Sequence, residues 1–147
     1  EGDVGLTRPF ARLMLAAPGV RDALDAAEHV LPMPMSAARL GQRGYNPALL
    51  LARRLARSRT RADLLLRTRD TPPQRSLPRA QRLKNVRGAF QVDPLRAQAL
   101  QGRRVVLVDD VMTTGASVRE AAAALRAAGA AQVTVLVLAR TDEPARN

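Results

Sequence analysis

The sequence predicts an α/β domain with a mainly parallel central sheet flanked by helices, and three observations predict it. Short apolar runs alternate along the chain with amphipathic helical patterns. The run 105–108 is apolar at every position, as in a strand buried on both faces of a parallel sheet. Asp109 and Asp110 follow that run directly. We therefore expect them beyond the carboxyl ends of the strands, where open α/β sheets bind ligands.

The other elements follow from spacing and from helix start and stop signals. Apolar residues at helical spacing predict helix over 1–28, interrupted at Pro18-Gly19. Asn46 is a good N-cap and Pro47 a good first residue for a helix that ends at Arg57. The other predicted strands are 29–34, 63–67, 88–92 and 132–139, and the other predicted helices are 93–100 and 118–128, the last stopped by Gly129.

Residues 68–87 form the longest stretch without periodicity. Proline, glutamine, arginine and serine dominate it, and a structureless loop of that length in a compact domain is usually functional or disordered. We expect a mobile cationic lid. Its basic residues are Arg69, Arg75, Arg79, Arg82, Lys84 and Arg87.

Composition limits the kinds of partner. At 147 residues we expect one domain over 1–147. The net charge of +11, from 24 basic and 13 acidic residues, favours a polyanion, either pyrophosphate or a nucleic acid backbone. Few aromatic residues argue against a base-stacking platform, and the lack of cysteine excludes disulfides and thiolate metal sites. No apolar run reaches the ~18 residues of a membrane span, and we identify no signal peptide.

The stretch 105–117 has the chemistry of a ribose phosphate site. A helix N-terminus with flanking hydroxyls can hold a phosphate monoester, and Gly115 lets the backbone approach it closely. The two carboxylates upstream can accept hydrogen bonds from a vicinal diol. Diol and 5′-phosphate lie on one ribose ring. The alternatives are an ordinary strand with an acidic turn and a Thr/Ser N-cap, or a receiver-domain acidic pocket, which lacks the phosphate cradle and normally opens its domain.

The same stretch resembles the 5-phosphoribosyl-1-pyrophosphate (PRPP) signature of type I phosphoribosyltransferases: an apolar run, two acids, two variable positions, then Thr-Gly-x-Ser/Thr. Two further stretches resemble the ComF/GntX-like members of that family. Residues 43–46, Arg-Gly-Tyr-Asn, followed by Leu-Leu-Ala-Arg, resemble their "RGFNQ…LLA" run. Residues 74–90 resemble their "Q…L…R…NV.GAF" run.

The resemblance implies a single-domain, Rossmann-like type I phosphoribosyltransferase fold and a role for each matching residue. Asp109 and Asp110 would hold the ribose diol, and Arg39 and Arg43 the pyrophosphate. The 5′-phosphate would be bound by the signature residues Thr113, Thr114, Gly115, Ala116 and Ser117. The residues implied in catalysis are Asp109 and Asp110 with two of the flexible loop, Arg82 and Lys84, which lies beside Asn85. Mg²⁺ would be held mainly by PRPP, without a protein metal site or an organic cofactor.

The sequence departs from the family at two places, and it differs from purine-salvage relatives at a third position. Many relatives carry an N-terminal zinc module with four cysteines, which this chain lacks. Met35-Ser36 replaces a more usual Leu-His, which leaves the pyrophosphate contacts open. Thr113 stands where purine-salvage relatives place an aspartate, so we expect no carboxylate base acting on a purine there. His29, near a strand edge, is interpreted as structural.

We predict a cytoplasmic transferase that moves the 5-phosphoribosyl group of PRPP to an unknown nitrogenous acceptor and releases pyrophosphate. One alternative is a module that binds PRPP or a nucleotide without turnover. Another is a competence protein of the ComF type that acts with single-stranded DNA or with proteins of the uptake machinery. A homodimer is left open.

Overall fold

A computed structural model describes residues 4–68, 80, 88–112 and 115–141. Its helices are α1 (Thr7–Ala16), α2 (Val20–Ala26), α3 (Ala37–Arg43), α4 (Pro47–Ala56) and α5 (Ala116–Ala127). Its strands are β1 (His29–Pro32), β2 (Leu65–Arg67), β3 (Phe90–Val92), β4 (Arg104–Met112) and β5 (Gln132–Arg140). Short 3-10 turns cover Val4–Leu6, Arg57–Arg59 and Ala97–Leu100.

The central sheet is parallel, in the order β1-β4-β5. β4 lies in the middle, with Val106 opposite Val30 of β1 and Thr134 of β5. A separate antiparallel pair joins β2 to β3. The predicted α/β fold with a parallel sheet flanked by helices is confirmed.

Both faces of β4 are buried, which explains its uninterrupted apolar run. Val105 and Leu107 pack on one face, in a cluster that includes Leu125 of α5 and Phe90 of β3. Val106 and Val108 pack on the other face, in a cluster with residues of α1, α2 and α4. The two layers fix β4 from both sides, so that the residues at its carboxyl end extend from a rigid base.

Three local predictions differ from the structure. β4 does not end at Val108 but continues to Met112, because β5 is equally long and pairs with it as far as Arg140. α5 begins at Ala116 rather than at residue 118, because Gly115 in the left-handed conformation serves as its N-cap. The predicted helix 93–100 is a turn at Asp93, whose Oδ1 accepts from the Leu95 N–H, followed by the 3-10 turn.

α3 is an element that the sequence analysis did not predict. Ser36 begins it, since its hydroxyl accepts from the backbone N–H of Arg39 at 3.2 Å. Gly44, with φ of 81°, ends it. Arg39 and Arg43, which the resemblance assigns to the pyrophosphate, lie on this helix.

Within the described residues, no helix has the length and apolarity to cross a bilayer.

Candidate functional site

The paired carboxylates lie where β1 has ended but β4 and β5 continue. The last residue of β1, Pro32, is opposite Val108, and Asp109 is opposite Val137 of β5. Asp109 and Asp110 therefore have strand support on the β5 side and lie beyond the end of β1 on the other. Both side chains are half-buried. The two carboxylates are close enough to interact with each other.

The electrostatics of this pair are unusual for aspartates. Burial, together with the hydrogen bond and the negative charge of the Asp110 side chain, raises the pKa of the Asp109 carboxyl to about 7. The backbone N–H of Asp110 donates to Asp109 Oδ1 at 2.9 Å and opposes part of that effect. Near neutral pH the pair is thus poised between one proton and none, and a hydrogen-bond donor or a cation at the pair would favour full ionisation.

A left-handed glycine turn follows the carboxylates and begins α5. Gly115 has φ of 77° and, as the N-cap, makes no side-chain capping bond. The guanidinium of Arg119 folds back over this turn, with Nη1 3.6 Å from the position that a Cβ on Gly115 would occupy. Helical side chains lean toward the N-terminus, which brings Arg119 to the turn four residues earlier. The first turn of α5 has no acidic residue. The helix dipole and the Arg119 guanidinium both contribute positive potential at the start of α5.

The α3–α4 junction is tied to the same end of the sheet. The Met33 backbone N–H donates to the carbonyl of Val108, the residue before Asp109, at 2.8 Å. The Asn46 side chain donates to the Met33 carbonyl at 3.0 Å and accepts from the Ala48 N–H at 3.0 Å. Asn46 thus fulfils the predicted N-cap role and also anchors α4 to the chain leaving β1.

Arg39 and Arg43 reach the site region on α3. Both are exposed, and no residue of α3 is buried. The Arg43 guanidinium carbon lies 5.6 Å from the centroid of the Tyr45 ring, within the range of a cation–π contact. The structure therefore places these two arginines on an exposed helix, and the junction that follows this helix is tied through Met33 to β4.

Several predicted site residues are outside the described part of the chain: Thr113, Thr114, Arg82 and Lys84, as well as nearly all of the predicted lid. Ala116 and Ser117 are described, as the first two residues of α5. His29 Nε2 donates to the Ala99 carbonyl at 3.0 Å, which agrees with its interpretation as structural.

Two residues at the site received no role from the sequence. Arg119 had a detectable signal, since a cation in the first turn of a helix opposes the helix dipole and is an unusual choice there. No sequence signal indicated the contact of Tyr45 with Arg43, because residues two apart make contact only when the chain between them turns sharply.

The comparisons with known proteins agree with this geometry. Residues 42–147 match the family described as "Phosphoribosyl transferase domain". This match covers the α3–α4 junction, the β2–β3 pair and the whole carboxylate and glycine-turn region. The chain belongs to the phosphoribosyltransferase domain family.

The sequence relatives indicate which branch of that family the chain resembles. Competence protein F of Haemophilus influenzae is 36% identical over 143 residues, which are 92% of this chain and 61% of that protein. DNA utilization protein YhgH of Escherichia coli K12 is 36% identical over 121 residues, 80% of this chain and 52% of that protein. The chain is thus ComF-like, as its motifs predicted, and it spans between half and two thirds of the length of these relatives.

Solved structures agree on the fold. An allosteric regulatory enzyme of purine biosynthesis is similar with a TM-score of 0.55 at 24% identity, over 90% of this chain and 25% of that one. The hypoxanthine phosphoribosyl transferase of Trypanosoma cruzi has a TM-score of 0.54 at 12% identity, over 95% of this chain and 76% of that one. At such identities the likeness establishes a phosphoribosyltransferase-type fold and nothing finer.

Proposed function

We propose that this protein binds PRPP and transfers its 5-phosphoribosyl group to a nitrogenous acceptor. The observation that supports this most is the arrangement at the end of β4. A half-buried pair of carboxylates is followed by a left-handed glycine turn that opens α5, with an arginine folded over the turn. Carboxylates suit a diol, and a cationic helix start suits a phosphate.

In this proposal the two aspartates hold the ribose hydroxyls. Each hydroxyl donates to a carboxylate, and such charge-assisted bonds are stronger than bonds between neutral groups. The donors also stabilise the ionised form of Asp109, whose raised pKa otherwise leaves it partly protonated at neutral pH. Ribose binding therefore releases a proton from the pair.

The phosphate is proposed to lie on the turn at Gly115. The backbone of Ala116 and Ser117 begins α5 there, and the electropositive helix start together with the Arg119 guanidinium provides the charge for a phosphate dianion. The motif adds the hydroxyls of Thr113 and Thr114 to this set.

Mg²⁺ fits the proposal as an ion carried by the substrate. Among the described residues, no three side chains of aspartate, glutamate, histidine or cysteine gather closely enough to hold a metal by themselves. Mg²⁺ is commonly bound by one or two carboxylates with substrate phosphates and water, and the Asp109–Asp110 pair can supply that contribution. When bound, Mg²⁺ neutralises charge on the departing pyrophosphate.

The proposed reaction exchanges one bond at the anomeric carbon. The C1–O bond breaks and pyrophosphate leaves with its electron pair, while the lone pair of the acceptor nitrogen forms the new C1–N bond. The acceptor then loses its proton to solvent. The carboxylates offset positive charge that develops on the sugar, and Arg39, Arg43, Arg82 and Lys84 are proposed to offset negative charge on pyrophosphate.

A cytoplasmic location follows from the proposed substrate, since a multiply charged sugar phosphate does not cross a bilayer unaided. A second candidate function is binding without turnover, as part of DNA uptake. Two observations favour it: Thr113 replaces the aspartate of purine-salvage enzymes, and two relatives are named for competence and DNA utilization.

Two measurements test the proposal. PRPP with Mg²⁺ at about a hundred times its dissociation constant should stabilise the protein by ~2.7 kcal/mol if it binds only the folded state. A panel of nucleobases and amines should then reveal acceptor-dependent release of pyrophosphate. Binding without release, together with salt-dependent binding of single-stranded DNA, would favour the second function. No thermal shift with millimolar PRPP would contradict both.

A further inference from the structure

Arg43 and Tyr45 make contact because of the turn between them. Gly44 has φ of 81° and its N–H donates to the Leu40 carbonyl at 2.7 Å, which ends α3 and reverses the chain. Residues two apart do not face each other in a helix. The left-handed glycine brings the Arg43 guanidinium over the Tyr45 ring, at 5.6 Å from its centroid.

The Tyr45 end of this contact is fixed to the sheet. Asn46 follows it directly and is held by two hydrogen bonds, one to Met33 and one from Ala48. Met33 in turn binds the carbonyl of Val108, next to Asp109. The residue next to Tyr45 is thus tied through two hydrogen bonds to the strand that carries the carboxylates.

The Arg43 end has no such support. α3 buries none of its residues, and Gly41 lies in its interior, where glycine weakens a helix. A helix of seven residues without buried contacts is marginal by itself. An exposed arginine on it would sample many rotamers and would lose that freedom when it binds an anion.

We propose that Tyr45 is a positioning residue, which holds the Arg43 guanidinium ready for the pyrophosphate group of PRPP. The inference rests on the proposed function. A guanidinium held over a ring keeps its N–H groups, which lie in the guanidinium plane, available to phosphate oxygens. The contact thereby limits the number of orientations that Arg43 must give up on binding.

The test compares three ligands with Mg²⁺ present: PRPP, inorganic pyrophosphate and ribose 5-phosphate. R43Q should weaken PRPP and pyrophosphate about tenfold or more. Y45L should weaken the same two ligands about two- to fivefold, the range of an exposed cation–π contact. Y45F keeps the ring and should stay within twofold of the unaltered protein. Ribose 5-phosphate lacks pyrophosphate, so its affinity should not change in any of these variants.

A double-mutant cycle separates positioning from general damage. In the R43Q background, Y45L should have no further effect, because the group that it positions is gone. R54Q on the exposed side of α4 is the matched control for loss of one positive charge, and it should behave like the unaltered protein.

The outcomes distinguish this inference from the proposed function. If the unaltered protein binds neither PRPP nor ribose 5-phosphate, both are wrong. If it binds them and Y45L changes nothing, or weakens ribose 5-phosphate equally, or acts fully in the R43Q background, only the role of Tyr45 is overturned.

Discussion

Replacing Asp109 by asparagine should stabilise the free protein above neutral pH, although it removes a residue of the candidate site. In the folded chain burial and the neighbouring Asp110 raise the pKa of Asp109 from 3.8 to about 7. That difference corresponds to about 4 kcal/mol of cost for keeping the carboxylate ionised in the folded state. Asparagine has no charge to desolvate, and its carbonyl oxygen can still accept from the Asp110 N–H. We expect a gain of about 1–4 kcal/mol, since the buried amide recovers only part of the cost.

The sign of the pH dependence follows from the same pKa. Between about pH 4 and pH 7 the folded protein holds a proton on Asp109 that the unfolded chain has lost. The contribution of Asp109 to stability therefore falls as the pH rises through this interval, and it levels off above about 7. The asparagine variant lacks this fall. The stability of the asparagine variant relative to the unaltered protein should therefore increase as the pH rises from about 4 to about 7.

Urea denaturation at several pH values measures this difference, and Asp63→Asn is the control of opposite sign. Two hydrogen bonds from Arg61 lower the pKa of Asp63. That aspartate contributes stability at neutral pH, which is lost as the pH falls through its lowered pKa. Its asparagine variant should thus be less stable at pH 7. An Asp109→Asn protein that is less stable than the unaltered one at pH 8 would refute the electrostatic reasoning.

Three further predictions concern binding and the anchor of α4. Affinity for ribose 5-phosphate should rise with pH through about 7 as Asp109 ionises, beyond the rise that inorganic phosphate shows in the same titration. Asp110→Asn should weaken ribose 5-phosphate about tenfold to a hundredfold and leave inorganic phosphate unchanged, whereas Gly115→Val should weaken both; equal losses in the aspartate variant would show that it does not bind the diol. Asn46→Ala should lower the free energy of unfolding by about 1–3 kcal/mol. Asn46→Asp keeps the cap but loses the donor to Met33, so its free energy of unfolding should lie between those of the unaltered protein and Asn46→Ala. Urea denaturation decides the last case, and identical losses in the two variants would contradict the anchoring role.

The sequence was sufficient where one pattern dominates. An apolar run buried on both faces has few alternatives to a central parallel strand, and β4 has that position. The N-cap at Asn46 was also predictable, because Asn-Pro before an apolar pattern is a specific signal. The turn at Gly115 was predicted as a close approach, and the structure adds its left-handed conformation.

The sequence was insufficient where the outcome depends on a partner in space. The end of β4 depends on the length of β5, which its own residues do not encode. α3 has no apolar face to detect, since it is held by Ser36 at one end and Gly44 at the other. The pKa of Asp109 arises from burial between elements distant in the chain, so spacing could not predict it.

The two ends of the candidate site differ in how they are supported, and this shapes how it can work. The carboxylates extend from a strand packed on both faces, so the proposed ribose end is preorganised at the cost of a buried charge. The arginines lie on a helix without buried residues, so the proposed pyrophosphate end retains freedom that binding would remove. A leaving group must depart after the reaction, and a rigid clamp on it would slow that departure. Under the proposed function, an exposed helix with one arginine held over a ring would supply charge to pyrophosphate and still release it. The asymmetry therefore suits a site that holds ribose firmly and exchanges pyrophosphate.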